Sequence, residues 1–282
     1  MTVAFYGTGL LGSALIRAML ARGDSVRVWN RTPSKAQALE SYGALAVPDA
    51  AEAADGAEFV HCCLRDDAAV DAVLDAAIPA IAVTTPIVDH STVLPPRVTE
   101  RAARCAQTGH VFVHAPVFMG PPMALEARGV MLSSGESATV ERIRQRLEQM
   151  CSDLRYVGDR VEDAAIFKLM GNAMILAVAG GINDVLRIAE MQKLPFGQAY
   201  GLFDFYDPCG QIKGRGRRMA AGDYTPFWTV DMVRKDALLM QAAAHHERLP
   251  VIDAMEALLA NVADRGLGEL DLAAIASRVH GA

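Results

Sequence analysis

The chain has 282 residues, of which 52% are hydrophobic and 21% are charged, and its formal net charge is -6. A chain of this length and composition folds around one large hydrophobic core or two smaller ones, so it is not disordered. The acidic balance, without a long run of basic residues, argues against a general nucleic-acid-binding protein.

The cysteines argue against a metal site. They are odd in number and have neither metal-ligand spacing nor a C-x-x-C pair, so neither a zinc site nor a disulfide framework is expected. We interpret them as reduced thiols of a cytoplasmic protein: Cys62, Cys63, Cys105, Cys151 and Cys209.

The N-terminus enters a strand without a basic and apolar leader, and no charge-free stretch reaches the length of a membrane span. We therefore expect a protein that is neither exported nor bound to a membrane.

The first half of the chain alternates strand-like runs with helical patterns. The strand-like runs, rich in apolar and β-branched residues, lie at 2–7, 25–30, 58–64 and 87–91. The helical patterns lie at 10–23, 33–43, 66–77 and 95–109. This alternation predicts βαβ units and a parallel sheet. Further strands are predicted at 110–117, 130–135 and 154–158, with a Pro-rich loop and a helix at 136–150 between them.

After Gly158 the strand signal disappears. One long apolar helix is predicted at about 161–193, followed by helices near 196–206, 229–248, 252–263 and 270–279. The basic cluster from Lys213 to Arg218 is interpreted as a solvated loop. We place the domain boundary at about Asp159, which gives an α/β domain at 1–159 and an all-helical domain at 160–282.

The turn after the first strand, GTGLLG, has the glycines of a dinucleotide site. Gly7 permits a tight turn, Gly9 lets the backbone approach a pyrophosphate, and Gly12 allows close helix packing. The motif alone is weak, but a strand precedes it, a helix follows it, and a second strand ends at Asn30 with the expected spacing. We predict a cofactor-binding turn made of Gly7, Thr8, Gly9, Leu10, Leu11 and Gly12.

The end of the second strand favours NADP (NADPH) over NAD. An NAD site usually has Asp or Glu there, to accept hydrogen bonds from ribose hydroxyls. This chain has Asn30, Arg31 and Thr32 instead, with Lys35 one helical turn later. A guanidinium, a hydroxyl and a second cation suit a ribose 2′-phosphate. The alternative, an exposed polar start of the next helix, explains Thr32 but not the missing acid.

The long apolar helix contains two isolated polar residues. From Ala164 to Gly181 the strongly polar side chains are Lys168 and Asn172, which share one helix face. Burying an ammonium without a partner is costly, so such groups are usually paired, neutralised or functional. The alternative is a lysine whose ammonium reaches water.

The segments GTGLLG, NRT, DHST, HAPVFMG and KLMGN occur in this order along the chain. Together they resemble the β-hydroxyacid dehydrogenase family, which includes 3-hydroxyisobutyrate dehydrogenase, over nearly the whole chain. The stretch KGRGRRMAAGDYTPFWTVDMVRKDALL is most similar to the glyoxylate/succinic semialdehyde reductase branch. The resemblance implies a Rossmann-type domain, an all-helical second domain joined to it by one long helix, and an active site in the cleft between them.

The same resemblance implies residue roles. Lys168 matches the catalytic lysine of the family, and Asn172 matches the asparagine that supports it. A cation there would stabilise charge on a carbonyl oxygen and supply a proton. The residues implied at the cofactor are Leu64, Arg65 and Thr92 on the nicotinamide side and Lys235 from the helical domain, with Ser91 as a weaker candidate for the substrate wall.

One segment departs from the family pattern. Where the family usually has D-A-P-V-S-G-G, which holds a substrate carboxylate with a serine hydroxyl and exposed backbone amides, this chain has HAPVFMG. Phe118 and Met119 replace the serine and the first glycine, and Gly120 remains. Two bulky apolar groups at the substrate site put recognition of a small carboxylate in question.

These features give three functional hypotheses. The leading one is an NADPH-dependent oxidoreductase of a small aldehyde, ketone or keto acid, with Lys168 as general acid and base. The alternative is an imine reductase with an apolar pocket around Phe118 and Met119, although the retained Lys168 and Asn172 favour the carbonyl enzyme. The third is a sensor or scaffold that binds NADP without turnover, which the retained lysine disfavours.

The expected partners are a small-molecule substrate and a second copy of the chain. The apolar stripe along 173–191 is long enough to pair with a copy in a homodimer or homotetramer. Packing within the helical domain is the alternative, and the two do not exclude each other.

Overall fold

A computed structural model of the protein describes residues 1–277. Its first unit contains a six-stranded parallel sheet with the strand order β3-β2-β1-β4-β5-β6. This order reverses between β1 and β4, as in doubly wound dinucleotide-binding folds. The strands are β1 Thr2–Tyr6, β2 Ser25–Trp29, β3 Leu45–Ala46, β4 Phe59–Cys62, β5 Ile87–Asp89 and β6 Phe112–His114. The predicted parallel sheet is confirmed, and only the two-residue β3 lacked a sequence signal.

Helices cover both faces of this sheet. Successive strand residues face opposite sides, so Val3 and Phe5 belong to one hydrophobic cluster, while Ala4 and Tyr6 belong to the other. Burial on both faces explains why β1 is apolar from Val3 onward. The helices of this unit are α1 Leu10–Ala21, α2 Pro33–Gln37, α3 Ala50–Ala54, α4 Asp67–Ala77, α5 Pro95–Gln107, α6 Pro121–Leu125 and α7 Ser137–Glu148. Short 3-10 turns lie at Glu40–Tyr42 and Ile78–Ala80.

A small second sheet follows in the same unit. It consists of β7 Val117–Phe118, β8 Val130–Ser133 and β9 Asp153–Tyr156, with β7 antiparallel and β9 parallel to the central β8. The single strand predicted at 110–117 is therefore two strands. The chain leaves the first sheet at Pro116, which has no N–H group to continue a ladder. The Pro-rich stretch predicted as a loop contains α6.

From α8 onward, the described part of the chain is mainly helical, as predicted. Its helices are α8 Asp163–Met191, α9 Phe196–Tyr200, α10 Gly210–Ala221, α11 Val230–Ala243 and α12 Pro250–Val262, with 3-10 turns at Gly201–Asp204 and Leu272–Ala276 and a π turn at Ala263–Leu267. A small core forms around Val230, Leu259 and Val262. The predicted helix at 270–279 is only a 3-10 turn where it is described, and Val279 lies outside the described residues.

The interpretation of Lys213 to Arg218 as a loop is wrong, because these residues belong to α10. Gly214 and Gly216 disfavour a helix by propensity, but tertiary contacts override that preference. Arg215 and Arg218 lie 3.7 Å and 3.3 Å from the carboxylate oxygens of the fully buried Asp271. Buried charge of this kind needs paired partners, and α10 supplies them.

The chain divides into two compact units, Met1–Asn172 and a second unit that begins at Ala173. The division lies inside α8, whereas the sequence placed it before that helix, at about Asp159. Cofactor binding by the first unit and pairing of copies through the second stay predictions.

α8 is the one helix among the described residues with the length and apolar composition of a membrane span, with a mean hydropathy of 1.7 over 18 residues. Only 6% of that window is buried. Residues 173–179 are exposed on every side of the helix, and the side chain of Leu176 is 73% exposed. Between the charged residues Lys168 and Asp184, α8 rises only about 24 Å, which is less than the hydrocarbon thickness of a bilayer.

Candidate active site

The turn after β1 has the geometry that its three glycines predict. Gly7 has φ +98°, and a Cβ there would lie 2.3 Å from the carbonyl oxygen of Cys63. A Cβ on Gly12 would lie 2.1 Å from the Gly7 carbonyl oxygen. A Cβ on Gly9 would meet no atom within 4 Å. Close packing therefore requires glycine at positions 7 and 12. Gly9 instead faces open space at the N-terminus of α1, where backbone N–H groups attract an anion.

A pocket of about 720 Å³ opens at this turn. Its wall is formed by residues that follow the carboxyl ends of the adjacent strands β2, β1, β4 and β5, as a ligand site at the reversal of strand order requires. The predicted site residues in its wall are Gly7, Gly9, Leu10, Leu11, Gly12, Asn30, Arg31, Thr32, Lys35, Leu64, Arg65, Ser91 and Thr92. The sequence did not identify Trp29, Cys63, Asp66, Ala68, Ala69, Ala72, Val73 and His90, which also line it.

Asn30 joins the two loops at the end of the pocket next to β2. Its side-chain oxygen accepts a hydrogen bond from the backbone N–H of Thr8 at 3.2 Å, and its amide group donates one to the carbonyl oxygen of Thr32 at 3.0 Å. An aspartate would accept the first bond but could not donate the second. Thr8 itself is buried and lies behind the wall of the pocket.

The cations at this end are exposed. Within residues 1–277, neither Arg31 nor Lys35 has a carboxylate within ion-pair distance. The nearby Asp66 is already engaged, since it accepts a hydrogen bond from Ala69 N–H and pairs with Arg65 at 2.8 Å. These two contacts are the main reasons that the pKa of Asp66 is lowered, and Arg31 adds a weaker contribution. Arg31 and Lys35 are therefore free to bind an anion.

Ser91 is fixed by three hydrogen bonds at the opposite end of the pocket. Its backbone N–H donates to Asp89 Oδ1 at 2.9 Å, and its carbonyl oxygen accepts from His114 Nε2 at 2.9 Å. Its hydroxyl oxygen accepts from the backbone N–H of Leu64 at 2.9 Å. This arrangement leaves the hydroxyl proton of Ser91 free to donate.

Behind this wall lies a buried pair of histidines. His90 lines the pocket and donates from Nδ1 to the Ala115 carbonyl oxygen at 2.7 Å. Its Nε2 lies 3.0 Å from Nδ1 of His61, whose ring stacks on it. Burial lowers the pKa of both imidazoles, and the neighbouring His90 lowers the pKa of His61 further. Two neutral rings therefore fit: because a carbonyl only accepts, His90 carries its proton on Nδ1 and His61 donates to His90 Nε2.

The first turn of α8, which belongs to the first unit, is anchored to the loop that follows β8. The backbone N–H of Ala164 donates to the hydroxyl oxygen of Ser134 at 2.9 Å, and that hydroxyl donates to the Val161 carbonyl oxygen. Ala165 packs in the same hydrophobic cluster as Val93, next to Thr92. These contacts fix the start of the helix that contains Lys168 and Asn172, neither of which lines the pocket described above.

Lys168 is half-buried, and its Nζ lies 4.2 Å from the centroid of the Phe118 ring. Desolvation lowers the pKa of its ammonium. The Phe118 ring also occupies the space beside Gly171, where a Cβ would lie 2.3 Å from the ring. A glycine inside a helix costs about 0.5–1 kcal/mol relative to alanine, and here the ring requires it.

The two bulky residues of the HAPVFMG segment face different surroundings. Phe118 contacts α8, whereas Met119 packs against the first hydrophobic cluster, as alternation along a strand requires. Gly129, at φ +101°, accommodates them, because a Cβ there would lie 2.7 Å from Met119 Cβ. Gly120 caps the N-terminus of α6.

Lys235 lies in the second unit, on α11. Its ammonium pairs with Asp236 at 2.7 Å, and it borders a shallow pocket with Asp231, Arg234, Leu238 and Leu239. Among residues 1–277, no group of three or more His, Cys, Asp or Glu side chains has the geometry to hold a metal ion.

Comparisons with known proteins agree with this geometry. Residues 2–158 match the sequence family described as the NAD binding domain of 6-phosphogluconate dehydrogenase. Glyoxylate/succinic semialdehyde reductase 1 of Arabidopsis thaliana is 26% identical over 285 residues, which cover 99% of this chain and 98% of that protein. An oxidoreductase of Aspergillus ustus, named as NADH-dependent, is 31% identical over 185 residues, which cover 64% of this chain and 62% of that protein.

The fold as a whole also has solved relatives. The imine reductase of Myxococcus stipitatus, in a complex with NADP+, superposes with a TM-score of 0.90 at 21% identity, and 99% of each chain is covered. At this identity the likeness concerns the fold, and it covers both the parallel sheet and the helical remainder. The pocket is thus a dinucleotide-binding site, and Lys168, on α8, has no ion-pair partner among residues 1–277.

Proposed function

We propose, since the chain belongs to the β-hydroxyacid dehydrogenase family, that it is an NADPH-dependent reductase that transfers a hydride between NADPH and a small aldehyde, ketone or keto acid. The observation that carries this proposal is the Lys168 ammonium, which is half-buried, has a lowered pKa and has no ion-pair partner within residues 1–277. A structural lysine in such a place would normally be paired.

The residues of the pocket fit a phosphorylated dinucleotide. The open space at Gly9 and the N-terminus of α1 would hold the pyrophosphate, because a Cβ is absent there and N–H groups are free. Arg31 and Lys35 would hold a ribose 2′-phosphate. No carboxylate among residues 1–277 pairs with either cation, and the nearby Asp66 is already paired with Arg65. Leu64, Ser91 and Thr92 would border the nicotinamide.

When bound, the cofactor supplies a hydride to the carbonyl carbon. The protein's own contribution is a proton held at Lys168 Nζ, which the ammonium donates to the carbonyl oxygen as charge develops on it. Desolvation of Lys168 brings its pKa closer to neutral pH, so the same nitrogen can accept a proton in the reverse direction. Asn172, one turn later on the same face, would orient the reacting groups.

The reaction is tested by following NADPH and NADH consumption with aldehydes, ketones, keto acids and cyclic imines. We expect turnover with NADPH and at least one carbonyl compound. An imine reductase is the second candidate, favoured by the apolar Phe118 ring beside Lys168, and turnover of imines alone would establish it. Tight NADPH binding without turnover of any compound would contradict both and support a sensor.

The thiols fit a reducing compartment, and we place the enzyme in the cytoplasm. Cys62, Cys105 and Cys151 are buried, and Cys63 lines the pocket. Burial raises the pKa of Cys63 to about 12 and that of Cys105 to about 11, so both stay protonated and unreactive at neutral pH. Neither thiol is a candidate nucleophile.

We also propose that a second copy of the chain covers α8. A helix that is apolar on all sides is normally buried, yet residues 173–179 are exposed. A bilayer is the poorer occupant, because the charge-free stretch is shorter than the hydrocarbon core and contains Asn172. The copy would form a homodimer or a homotetramer.

Light scattering is expected to give two or four times the 30.2 kDa mass of the chain. Leu176→Glu should shift the protein toward the monomer, because it places a carboxylate in the buried interface. Val83→Glu is the matched control, since Val83 is also exposed but lies far from α8 along the chain, and its mass should not change. A concentration-independent monomer mass for the unaltered protein would show that α8 is not an interface.

A further inference from the structure

We propose that Phe118 is a positioning and specificity residue of the active site. Its ring holds the Lys168 ammonium in place and fills the position at which a substrate carboxylate would otherwise bind, so the enzyme favours carbonyl compounds without a carboxylate. This inference rests on the proposed reaction, in which Lys168 is the proton donor. It concerns the class of substrate and the position and pKa of the Lys168 ammonium. Neither the fold nor the glycine-rich pocket determines these properties.

The contact between Phe118 and Lys168 is built from both sides. On the strand side, β7 pairs with β8 through Phe118 and Val130, and Gly129 leaves room for the carbonyl oxygen of Phe118, which would lie 3.0 Å from a Cβ there. On the helix side, Gly171 leaves room for the ring, whose nearest atom would lie 2.3 Å from a Cβ. Any side chain at position 171 would displace the ring from α8.

Among the described residues, the Phe118 ring lies against the Lys168 ammonium and interacts with its charge. The face of an aromatic ring attracts a cation, and Nζ lies 4.2 Å from the Phe118 centroid. The nearest acids along the chain, Glu162 just before α8 and Asp163 in its first turn, both pair with Arg160. The strands β7 and β8 contain no charged residue. The proton on Lys168 is therefore disfavoured by burial and favoured by the ring.

The same ring disfavours a substrate carboxylate. By the resemblance, position 118 usually has a serine whose hydroxyl holds that group, whereas Phe118 offers no donor. A carboxylate placed there would lose water without gaining a hydrogen bond, and it would meet the negative face of the ring. The Lys168 ammonium, drawn toward that face, is also less free to pair with the carboxylate.

Two measurements distinguish the proposed role of the Phe118 ring from a merely structural one. The first is the pH profile of the labelling of Lys168 by acetic anhydride in the protein without cofactor, followed by mass spectrometry of the peptide. Phe118→Leu keeps the burial but removes the ring, so the pKa of Lys168 should fall and labelling at pH 8 should become about two- to fivefold faster, the fold-change that a cation-ring attraction corresponds to. Phe118→Ser admits water and relieves desolvation, so the pKa should rise.

The second readout is kcat/KM for butanal relative to succinic semialdehyde, four-carbon aldehydes that differ by a carboxylate. The unaltered enzyme should prefer butanal, and Phe118→Ser should shift the ratio at least tenfold toward succinic semialdehyde. Phe59→Leu is the matched control, because Phe59 lies on β4 of the same unit, with Arg146 over its ring at 5.8 Å, and neither readout should change. Gly171→Ala, which displaces the ring without altering it, should change the labelling profile.

The inference is overturned if Phe118→Leu and Gly171→Ala both leave the pKa of Lys168 unchanged, or if Phe118→Ser leaves the substrate ratio unchanged. Near-ultraviolet circular dichroism of each variant establishes that it is folded. If no protein reduces either aldehyde, the proposed reaction is wrong, while the labelling profile still decides whether Phe118 holds Lys168.

Discussion

Lys168→Ala is expected to lower turnover by roughly 10²–10⁴, the usual worth of general acid catalysis. The affinity for NADPH should stay nearly unchanged, because the glycine turn and Arg31 lie in the pocket wall and Lys168 does not. A mutation that affects the chemical step without affecting cofactor binding is the signature of a proton donor. Stopped-flow measurement of the reduction, with NADPH affinity from fluorescence titration, checks both parts.

Two further variants sharpen the test of Lys168. Lys168→Arg keeps the charge but not a nitrogen that can give up its proton, so it should recover little activity. Asn172→Ala should be milder, since Asn172 orients and does not react. If Lys168→Ala turns over its best substrate as fast as the unaltered enzyme, Lys168 is merely a satisfied polar residue.

The pH profile of the reduction gives a second check on Lys168. Desolvation lowers the pKa of Lys168. Reduction needs the protonated form, so the rate should fall on the alkaline side at a pH below the ordinary lysine value of about 10.4. The profile of Asn172→Ala should keep this limb, and a rate that stays flat through the alkaline range would exclude Lys168 as the acid.

The sequence predicted those features that depend on neighbours along the chain. The turn from Gly7 to Gly12 is local: its strand, its glycines and its helix are contiguous, so its geometry follows from their order. The strands were predicted for a similar reason, since most of them are short runs of mainly apolar residues that are contiguous along the chain. The two-residue β3 is too short to show a pattern, because its pairing with β2 depends on the sheet and not on its own residues.

The features that the sequence missed arise between distant segments. His61, on β4, and His90, which follows β5, meet across neighbouring strands; His61 interrupts an apolar run, whereas His90 stands between the polar residues Asp89 and Ser91. The need for Gly171 is visible only when Phe118 is placed against it. Likewise, the sequence grouped Met119 with Phe118, but Met119, just after β7, is partly buried against the first hydrophobic cluster, whereas Phe118 contacts Lys168. Contacts of this kind are not visible along the chain, which is why a dinucleotide-binding domain was easier to predict than a substrate.

Arg31→Ala is expected to weaken the binding of NADPH far more than that of NADH. Arg31 is exposed in the pocket wall beside Thr32 and Lys35, and no described carboxylate pairs with it. A guanidinium makes charge-assisted bonds to a 2′-phosphate that NADH lacks. A hydrogen bond to a charged group is worth about 1.5–3 kcal/mol, so Kd for NADPH should rise about 10- to 150-fold.

Arg65→Ala is the matched control for this cofactor preference. Arg65 also lines the pocket, but its guanidinium is already paired with Asp66 at 2.8 Å, whereas no described carboxylate pairs with Arg31. Because the charge of Arg65 is already balanced, Arg65→Ala should change the two Kd values by the same factor. Calorimetric titration of each variant with both cofactors measures the ratio directly. Equal weakening of NADPH and NADH by Arg31→Ala would mean that Arg31 does not bind the phosphate. A preference for NADH in the unaltered protein would mean that the missing acid after β2 does not determine the cofactor.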